Sequence, residues 1–191
     1  MRKALWGAPL LLAAAVFSQE FKVGSKVSDF TVFDLRGQPA AFSSLRGATT
    51  VVVFIATQCP VSNAYNERMN AVYRDYSAKG VKFVFINANS TEPPAEVGEH
   101  ARTHGFLFPV YKDQGNIVAD RFGASVTPET FVITADNVIQ YHGYIDDSQN
   151  PARIQKQGLR NALDAVLANK PVATAETKAF GCTIKRRKAT T

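Results

Sequence analysis

The sequence predicts a single α/β domain in which a central mixed β-sheet is flanked by helices. The first observation is the apolar run from Val51 to Ile55, which is typical of a strand buried on both faces of a sheet. The second is the amphipathic stripe after it, with apolar residues three or four positions apart between Val61 and Tyr76. The third is the order of the elements, β-α-β and later β-β-α, which supplies both parallel and antiparallel strand pairs.

The length and composition fit one globular domain. The chain has 191 residues, of which 46% are hydrophobic and 20% are charged, and this is enough for a core and too apolar for a disordered chain. The formal net charge is +6, and the excess of basic over acidic residues lies largely at the two ends of the chain. Because they do not form a groove lined with aromatic residues, we expect no nucleic-acid partner.

Residues 1–18 have the pattern of a signal peptide. Arg2 and Lys3 precede a short apolar stretch, Ala4–Phe17, and small or tolerated residues lie just before Gln19. The stretch is too short for a comfortable membrane span, so we expect no stable span, although an uncleaved anchor is an alternative. We therefore expect an extracytoplasmic protein, periplasmic or secreted, in a compartment where disulfides persist.

The secondary structure can be assigned in chain order. The predicted elements are a strand at Phe30–Phe33, the central strand at Thr49–Ala56, a helix at Pro60–Lys79, a strand at Val81–Asn87, a helix that ends near His104, a strand at Phe106–Tyr111, a short helix at Asn116–Phe122, a hairpin of Thr130–Thr134 and Val138–Tyr144, and a last helix around Leu159–Leu167. After Pro171 the chain is rich in Ala, Thr and Lys. We expect residues 19–170 to form the domain and residues 171–191 a basic tail that carries Cys182.

Cys59 lies where the predicted central strand gives way to the predicted helix. Pro60 follows it, and the fixed φ and missing N–H of proline suit the first turn of a helix. The partial positive charge at a helix N-terminus favours a thiolate and lowers the pKa of the Cys59 thiol. A buried structural cysteine is the alternative. We interpret Cys59 as a reactive thiol.

The strand, the turn Cys59-Pro-Val-Ser62 and the long helix resemble the thioredoxin-like superfamily in its redoxin, or AhpC/TSA, branch. Further segments that are similar to redoxin motifs are Val27–Gly37, Phe42–Gly47, Val126–Ile133 and Gly143–Asp147. The resemblance covers most of the chain after about residue 24. It implies a thioredoxin-like fold with an N-terminal redoxin extension, and an oxidoreductase that performs thiol–disulfide exchange through Cys59 with protein thiols or disulfides.

Cys182 is the candidate resolving cysteine. Redoxins with two active-site cysteines carry Cys-x-x-Cys, but the fourth position here is Ser62, whose hydroxyl cannot resolve a mixed disulfide and can only hydrogen-bond the thiolate. The tail from Pro171 to Cys182 can span about 36 Å, so its reach is not limiting. Connectivity cannot be deduced from sequence, and a passive thiol or an intermolecular partner are alternatives. We predict a fold-back Cys59–Cys182 disulfide, with a mixed disulfide to another protein as the rival outcome.

The resemblance also assigns Thr127 and Pro128 to substrate binding. It implies a cis peptide bond at Pro128 and a backbone edge at Thr127 against which a substrate chain pairs; an ordinary trans proline at the start of a strand is the alternative. Glu129, the next residue, could relay protons, and we interpret it as a solvated side chain. The central strand carries no acidic residue before Cys59, so we expect no buried proton acceptor there.

An atypical thiol peroxidase acting on a peroxide or a small thiol is the nearest alternative function. A peroxiredoxin carries Pro-x-x-x-Thr/Ser-x-x-Cys, but Val52 and Ala56 hold the first two of these positions here. The nearest hydroxyl, that of Thr57, lies one residue after the position that the motif requires. We keep Thr57 as a candidate site residue. Arg121 is interpreted as a surface residue, although it could supply a cation.

A copper carrier or a redox-inert binding domain is the third alternative. His100 and His104 lie four residues apart on a predicted helix, which favours a surface pair since no third ligand is nearby in the sequence. His142 could join Cys59 at a copper ion, but the related copper chaperones use Cys-x-x-x-Cys and the second position here is Asn63. We expect no metal and no cofactor, and the sequence does not identify the redox partner protein.

Overall fold

The structure is a computed structural model that describes residues 21–187. The predicted signal peptide, residues 1–18, lies outside the described residues. The strands are β1 (Thr31–Phe33), β2 (Pro39–Ala41), β3 (Thr49–Ile55), β4 (Lys82–Asn87), β5 (Val110–Lys112), β6 (Val126–Thr127), β7 (Glu129–Thr134), β8 (Ile139–Gly143) and β9 (Cys182–Thr183). The helices are α1 (Phe42–Leu45), α2 (Pro60–Asn63), α3 (Asn66–Ser77), α4 (Pro94–Thr103), α5 (Ile117–Phe122) and α6 (Gly158–Leu167), with short 3₁₀ turns at Gln114–Asn116 and Pro151–Arg153.

Seven strands form one mixed sheet in the order β2-β1-β5-β4-β3-β7-β8. Strand β3 lies parallel to β4 and antiparallel to β7, and all seven of its residues are buried. The apolar run that predicted a central strand is therefore explained by helices on both sides of the sheet. The predicted α/β class and mixed sheet are confirmed.

The two faces of β3 belong to two separate hydrophobic cores. Val51, Val53 and Ile55 pack in the core that α3 and α6 cover. Val52 and Phe54 point the other way, into a core built with α5 and the N-terminal segment. This second core is rich in phenylalanine rings in edge contact, such as Phe54 with Phe131. The alternation along one strand is the two-residue period of a β-strand, so both layers are organised by β3.

The helix after Cys59 differs from its prediction. The sequence predicts one helix over Pro60–Lys79, but the structure has two, α2 and α3, with a break at Ala64 and Tyr65. At the break the N–H of Tyr65 donates to the carbonyl of Ser62, three residues back instead of four. Tyr65 is buried, and its hydroxyl donates to the carboxylate of Asp146, 2.9 Å away. The side chain is thus held at a place that one straight helix would not give it.

The tail is folded against the domain in its described part. The N–H of His142 in β8 donates to Ala175, and the N–H of Thr177 donates back to His142, both at 2.9 Å. Farther on, β9 pairs with β6, and Ile184 is buried in the second core. The basic side chains of Lys185, Arg186 and Arg187 remain exposed, as the composition indicates. Among residues 21–187, no helix combines the length and the apolar character needed to cross a membrane.

Candidate active site

Cys59 lies directly after β3, at the first turn of α2. Its backbone is extended (φ −96°, ψ 114°), so it is the N-cap residue and Pro60 occupies the first helical position. The N–H of Ser62 donates to the Cys59 Sγ atom over 3.2 Å. A backbone donor aimed at the sulfur favours the thiolate when the cysteine is reduced. The residue is only 2% exposed, so the sulfur is covered in this structure.

Cys59 and Cys182 form a disulfide. Their Cα atoms are 5.8 Å apart, a usual separation for a disulfide, although 123 positions separate them in the chain. Cys182 is the first residue of β9 and is partly exposed, whereas Cys59 is buried. The fold-back pairing that the sequence predicts is therefore present, and the pairing takes up both cysteines of the chain.

The peptide bond between Thr127 and Pro128 is cis, as the resemblance implies. The carbonyl oxygen of Thr127 lies 3.5 Å from the Cys59 Sγ atom. Thr127 is also the antiparallel partner of Cys182 across β6 and β9. The backbone edge predicted for a substrate chain is thus occupied by the tail of the same chain.

Two predicted hydroxyl groups near Cys59 have other partners. The Oγ atom of Ser62 accepts from the N–H of Ala56 at 3.1 Å, so the backbone of Ser62, and not its hydroxyl, contacts the sulfur. The hydroxyl of Thr57 donates to the carboxylate of Glu92 at 2.8 Å. In this disulfide form the Ser62 hydroxyl thus holds the end of β3, and its contact with a Cys59 thiolate stays a prediction for the reduced protein.

Glu92 is a site residue that the sequence analysis missed. It is 1% exposed, and its carboxylate accepts from the N–H groups of Thr57 (2.8 Å) and Gln58 (3.1 Å). The side-chain amides of Asn87 and Asn89 also donate to it. Burial acts to raise the pKa of the Glu92 carboxyl, but these hydrogen bonds outweigh burial and hold the pKa below its ordinary value.

Lys112 lies beneath Glu92 as a second buried charge. Its Nζ atom donates to the backbone carbonyls of Asn89 (2.9 Å) and Glu92 (2.7 Å) and to the side chain of Asn87. Burial lowers the pKa of the Lys112 ammonium, while the Glu92 charge acts to raise it. Glu92 follows β4, which runs parallel to β3, so both strands end at the edge that carries Cys59. Residues that follow neighbouring parallel strands meet at the same edge of the sheet, and this rule could have indicated Glu92 from the sequence.

Glu129 is buried, and its interpretation as a solvated side chain is wrong. It is 3% exposed and accepts from the N–H groups of Ser125 (2.8 Å) and Val126 (3.1 Å). Its other oxygen lies 2.6 Å from the Nε2 atom of His142, whose ring stacks on Phe131. Glu129 therefore holds the loop that leads into the cis proline.

The other candidate residues lie elsewhere. The rings of His100 and His104 are 4.2 Å apart on α4, and within residues 21–187 no three His, Cys, Asp or Glu side chains are grouped to hold a metal ion. Arg121 donates to Ser28 and to the carbonyl of Asp29. These contacts hold the N-terminal segment and give Arg121 a structural role.

The comparison with protein families decides the assignment. The model of the AhpC/TSA family matches residues 23–142, more than half of the chain. The chain belongs to the AhpC/TSA family. The match includes β3, Cys59 and the Thr127–Pro128 bond and ends before the tail. Cys182 therefore lies beyond the part of this AhpC/TSA chain that the family model describes.

Named relatives agree with this assignment. The chain is 30% identical over 112 residues to the thiol-disulfide oxidoreductase ResA of Halalkalibacterium halodurans, a match that covers 59% of this chain and 62% of that relative. The chain thus spans less than two thirds of that relative's length. Relatives of this kind support the predicted oxidoreductase.

Two solved structures confirm the thioredoxin-like fold. An uncharacterized conserved protein from Geobacillus kaustophilus superimposes with a TM-score of 0.82 at 29% identity, covering 89% of this chain and 95% of that one. A protein described as a secreted disulfide oxidoreductase of Mycobacterium tuberculosis gives a TM-score of 0.56 at 23% identity, covering 71% and 95%. The first likeness extends over nearly the whole of both chains.

Proposed function

We propose that this chain is a thiol–disulfide oxidoreductase that acts outside the cytoplasm through Cys59, with Cys182 as its resolving cysteine. The observation that carries the proposal is the disulfide between a buried strand-end cysteine and a tail cysteine, beside the cis proline. The family assignment supports the same chemistry.

The exchange takes place in two steps. In the reduced protein the Cys59 thiolate attacks a partner disulfide, and one partner sulfur leaves as a thiolate while a Cys59–partner disulfide forms. The Cys182 thiolate then attacks the Sγ atom of Cys59, the internal disulfide forms, and the second partner sulfur leaves. The partner gains two electrons and two protons and becomes a dithiol. An external dithiol returns the protein to its reduced form.

The neighbouring residues have supporting roles in this proposal. Pro60 starts the turn, and the N–H of Ser62 stabilises the Cys59 thiolate as it forms and as it leaves. Thr57 binds Glu92 and so holds the turn ahead of the cysteine. Thr127 and Pro128 border the sulfur and present the backbone edge to which a partner chain would add.

Proteins with thiols or disulfides are the proposed substrates. Once β9 leaves it, the backbone edge at Thr127 would pair with an extended chain of many sequences, which suits a protein partner better than a small thiol. Residues 1–18 are proposed as a signal peptide, residues 19–170 as the redoxin domain and residues 171–191 as the tail. N-terminal sequencing of the protein from its native host tests the location, and a cytoplasmic protein that starts at Met1 contradicts it.

Turnover with a protein disulfide tests the activity. With dithiothreitol as donor, the wild type should reduce insulin faster than dithiothreitol alone, and Cys59→Ser should lose this gain. Cys182→Ser is the matched control, because it removes a thiol of the same kind and leaves the nucleophile. It should accumulate a mixed disulfide at Cys59, visible by mass spectrometry. A wild type that adds nothing to the rate, or a fully active Cys59→Ser variant, contradicts the proposal.

A further inference from the structure

The tail is held against the domain on both sides of Cys182 by contacts other than the disulfide. Before the cysteine, the hydroxyl of Thr177 hydrogen-bonds the hydroxyl of Tyr141 at 2.8 Å and accepts from the N–H of Tyr144 at 3.1 Å. After it, Ile184 is 3% exposed, and its N–H donates to the carbonyl of Ser125. The position of Cys182 therefore does not depend on the covalent bond alone.

The residues beyond Ile184 tie the tail to the polar cluster behind the Cys59 turn. The N–H of Lys185 donates to the side chain of Asn89 at 2.7 Å, and Asn89 also donates to Glu92. The N–H of Arg187 donates to the side chain of Asn116 at 2.9 Å. The described end of the tail is thus linked to the turn that carries Cys59 through the hydrogen bond between Asn89 and Glu92, since Glu92 also accepts from Thr57.

Gly181 lies close against the backbone of Thr127. A Cβ atom at this position would lie 2.8 Å from the carbonyl carbon of Thr127 and still closer to its oxygen. Both atoms are backbone, so they cannot turn aside. The φ of +150° at Gly181 is also one that residues with side chains rarely adopt. The same Thr127 oxygen lies against the Cys59 sulfur on its other side.

We propose that Gly181 is the positioning residue of the resolving thiol: its missing side chain lets the tail strand lie on Thr127, so that the Cys182 sulfur faces Cys59 before the bond forms. The inference rests on the proposed function, since it concerns the second step of that exchange. In this step the Cys182 thiolate displaces the partner thiolate from Cys59, and its rate depends on how often the two sulfurs meet.

A second glycine supports this assignment from the other side of the contact. Gly143, at the end of β8, has a φ of +151°, and a Cβ atom there would lie 2.6 Å from the carbonyl oxygen of Thr177. Gly181 belongs to the tail, whereas Gly143 belongs to the domain. The tail therefore needs a bare backbone at two separate places to keep its path over the site.

The test is a redox titration of Gly181→Ala against glutathione, with the species at Cys59 counted by mass spectrometry. We expect the ratio of internal disulfide to Cys59–glutathione mixed disulfide to fall at least tenfold, because β9 can no longer pack on the backbone of Thr127. Gly105→Ala is the matched control. Its φ of +57° is also positive, but nothing lies within 4 Å of the added carbon, and its ratio should equal that of the wild type.

Two further measurements separate positioning from loss of the fold. The reduced Gly181→Ala protein should keep the far-UV circular dichroism spectrum and the cooperative thermal transition of the wild type, as Gly105→Ala should. If Gly181→Ala does not fold, Gly143→Ala and Ile184→Ala loosen the tail from other positions and should lower the ratio in the same direction. A Gly181→Ala protein with the wild-type ratio overturns the inference. A wild type that forms the internal disulfide but reduces no protein disulfide instead contradicts the proposed function alone.

Discussion

The carboxylate of Glu92 accepts hydrogen bonds from the backbone N–H and the hydroxyl of Thr57, both at 2.8 Å. Thr57 lies two residues before Cys59, so a charge from the loop after β4 determines the path of the turn that ends β3. The turn itself carries no acidic residue. The chain thus holds the turn that carries Cys59 with a buried anion from the loop after the neighbouring strand.

Replacing Glu92 with Gln should destabilise the protein by roughly 1–3 kcal/mol, the cost of leaving buried donors unsatisfied. The amide supplies one acceptor oxygen, and its NH₂ group would face the N–H of either Thr57 or Gln58. Lys112 would also lose its nearby counter-charge. Urea unfolding of the reduced protein measures the change.

Glu96→Gln is the control for this variant. Glu96 is exposed and accepts one hydrogen bond, from the side chain of Gln58. The same chemical change should cost less than about 0.5 kcal/mol there, as is usual for surface substitutions. Equal losses in the two variants would show that the buried carboxylate has no special role in stability.

The stability of the fold should fall in acid because of Glu92. The folded pKa of this carboxyl is depressed below its ordinary value of 4.5. A depressed folded pKa contributes stability that is fully present above the unfolded pKa and is lost as the pH falls through the folded pKa. The stability difference between wild type and Glu92→Gln should therefore be constant at neutral pH and shrink below about pH 4.5. A difference that grows on acidification would contradict the assignment.

Much of the fold and part of the site could be predicted from local sequence. The apolar run at β3, the proline after Cys59 and the hairpin of β7 and β8 each depend on neighbouring residues. Glu92 could not be found in this way, because the composition of its segment is that of a surface loop. Asn87 and Asn89 lie close by in the chain, but the other partners, Thr57, Gln58 and Lys112, come from distant segments.

The position of the tail on the domain could not be predicted from local sequence for a different reason. The pairing of Thr127 with Cys182 joins residues far apart in the chain, and Gly181 contributes by lacking a side chain. The break between α2 and α3 lies at Tyr65, whose buried hydroxyl contacts Asp146 far along the chain. The length of the tail shows only that Cys182 can reach Cys59. The contacts of the tail with the domain bring the two cysteines together.

Asp146→Asn should destabilise the protein by about 3 kcal/mol. Both carboxylate oxygens accept from Arg68, at 2.7 and 2.8 Å, and one also accepts from the hydroxyl of Tyr65. The side chain of Asp146 is 6% exposed, so the change leaves the Arg68 charge without its buried partner. Thermal and urea unfolding measure the loss.

Asp75→Asn is the matched control for Asp146. Asp75 also pairs with an arginine, Arg160, but makes one contact and is 44% exposed. Exposed pairs contribute about 0–1 kcal/mol. If the two variants lose the same stability, the contact between α3 and the end of β8 is no stronger than a surface ion pair.

Hydrogen peroxide should oxidise the reduced protein no faster than it oxidises an ordinary free thiolate. Fast peroxidases need a hydroxyl and a cation beside the sulfur, as the peroxiredoxin motif provides. Here Ala56 has no hydroxyl, that of Thr57 donates to Glu92, and Arg121 is bound to Ser28 and Asp29. Cys59 is also only 2% exposed in the disulfide form.

Stopped-flow kinetics with peroxide, compared with exchange against a protein disulfide, measures the two activities on one sample. Peroxide consumption many times faster than that of free cysteine, with sulfenic acid trapped at Cys59, would make the peroxidase the better assignment and disulfide exchange the side reaction.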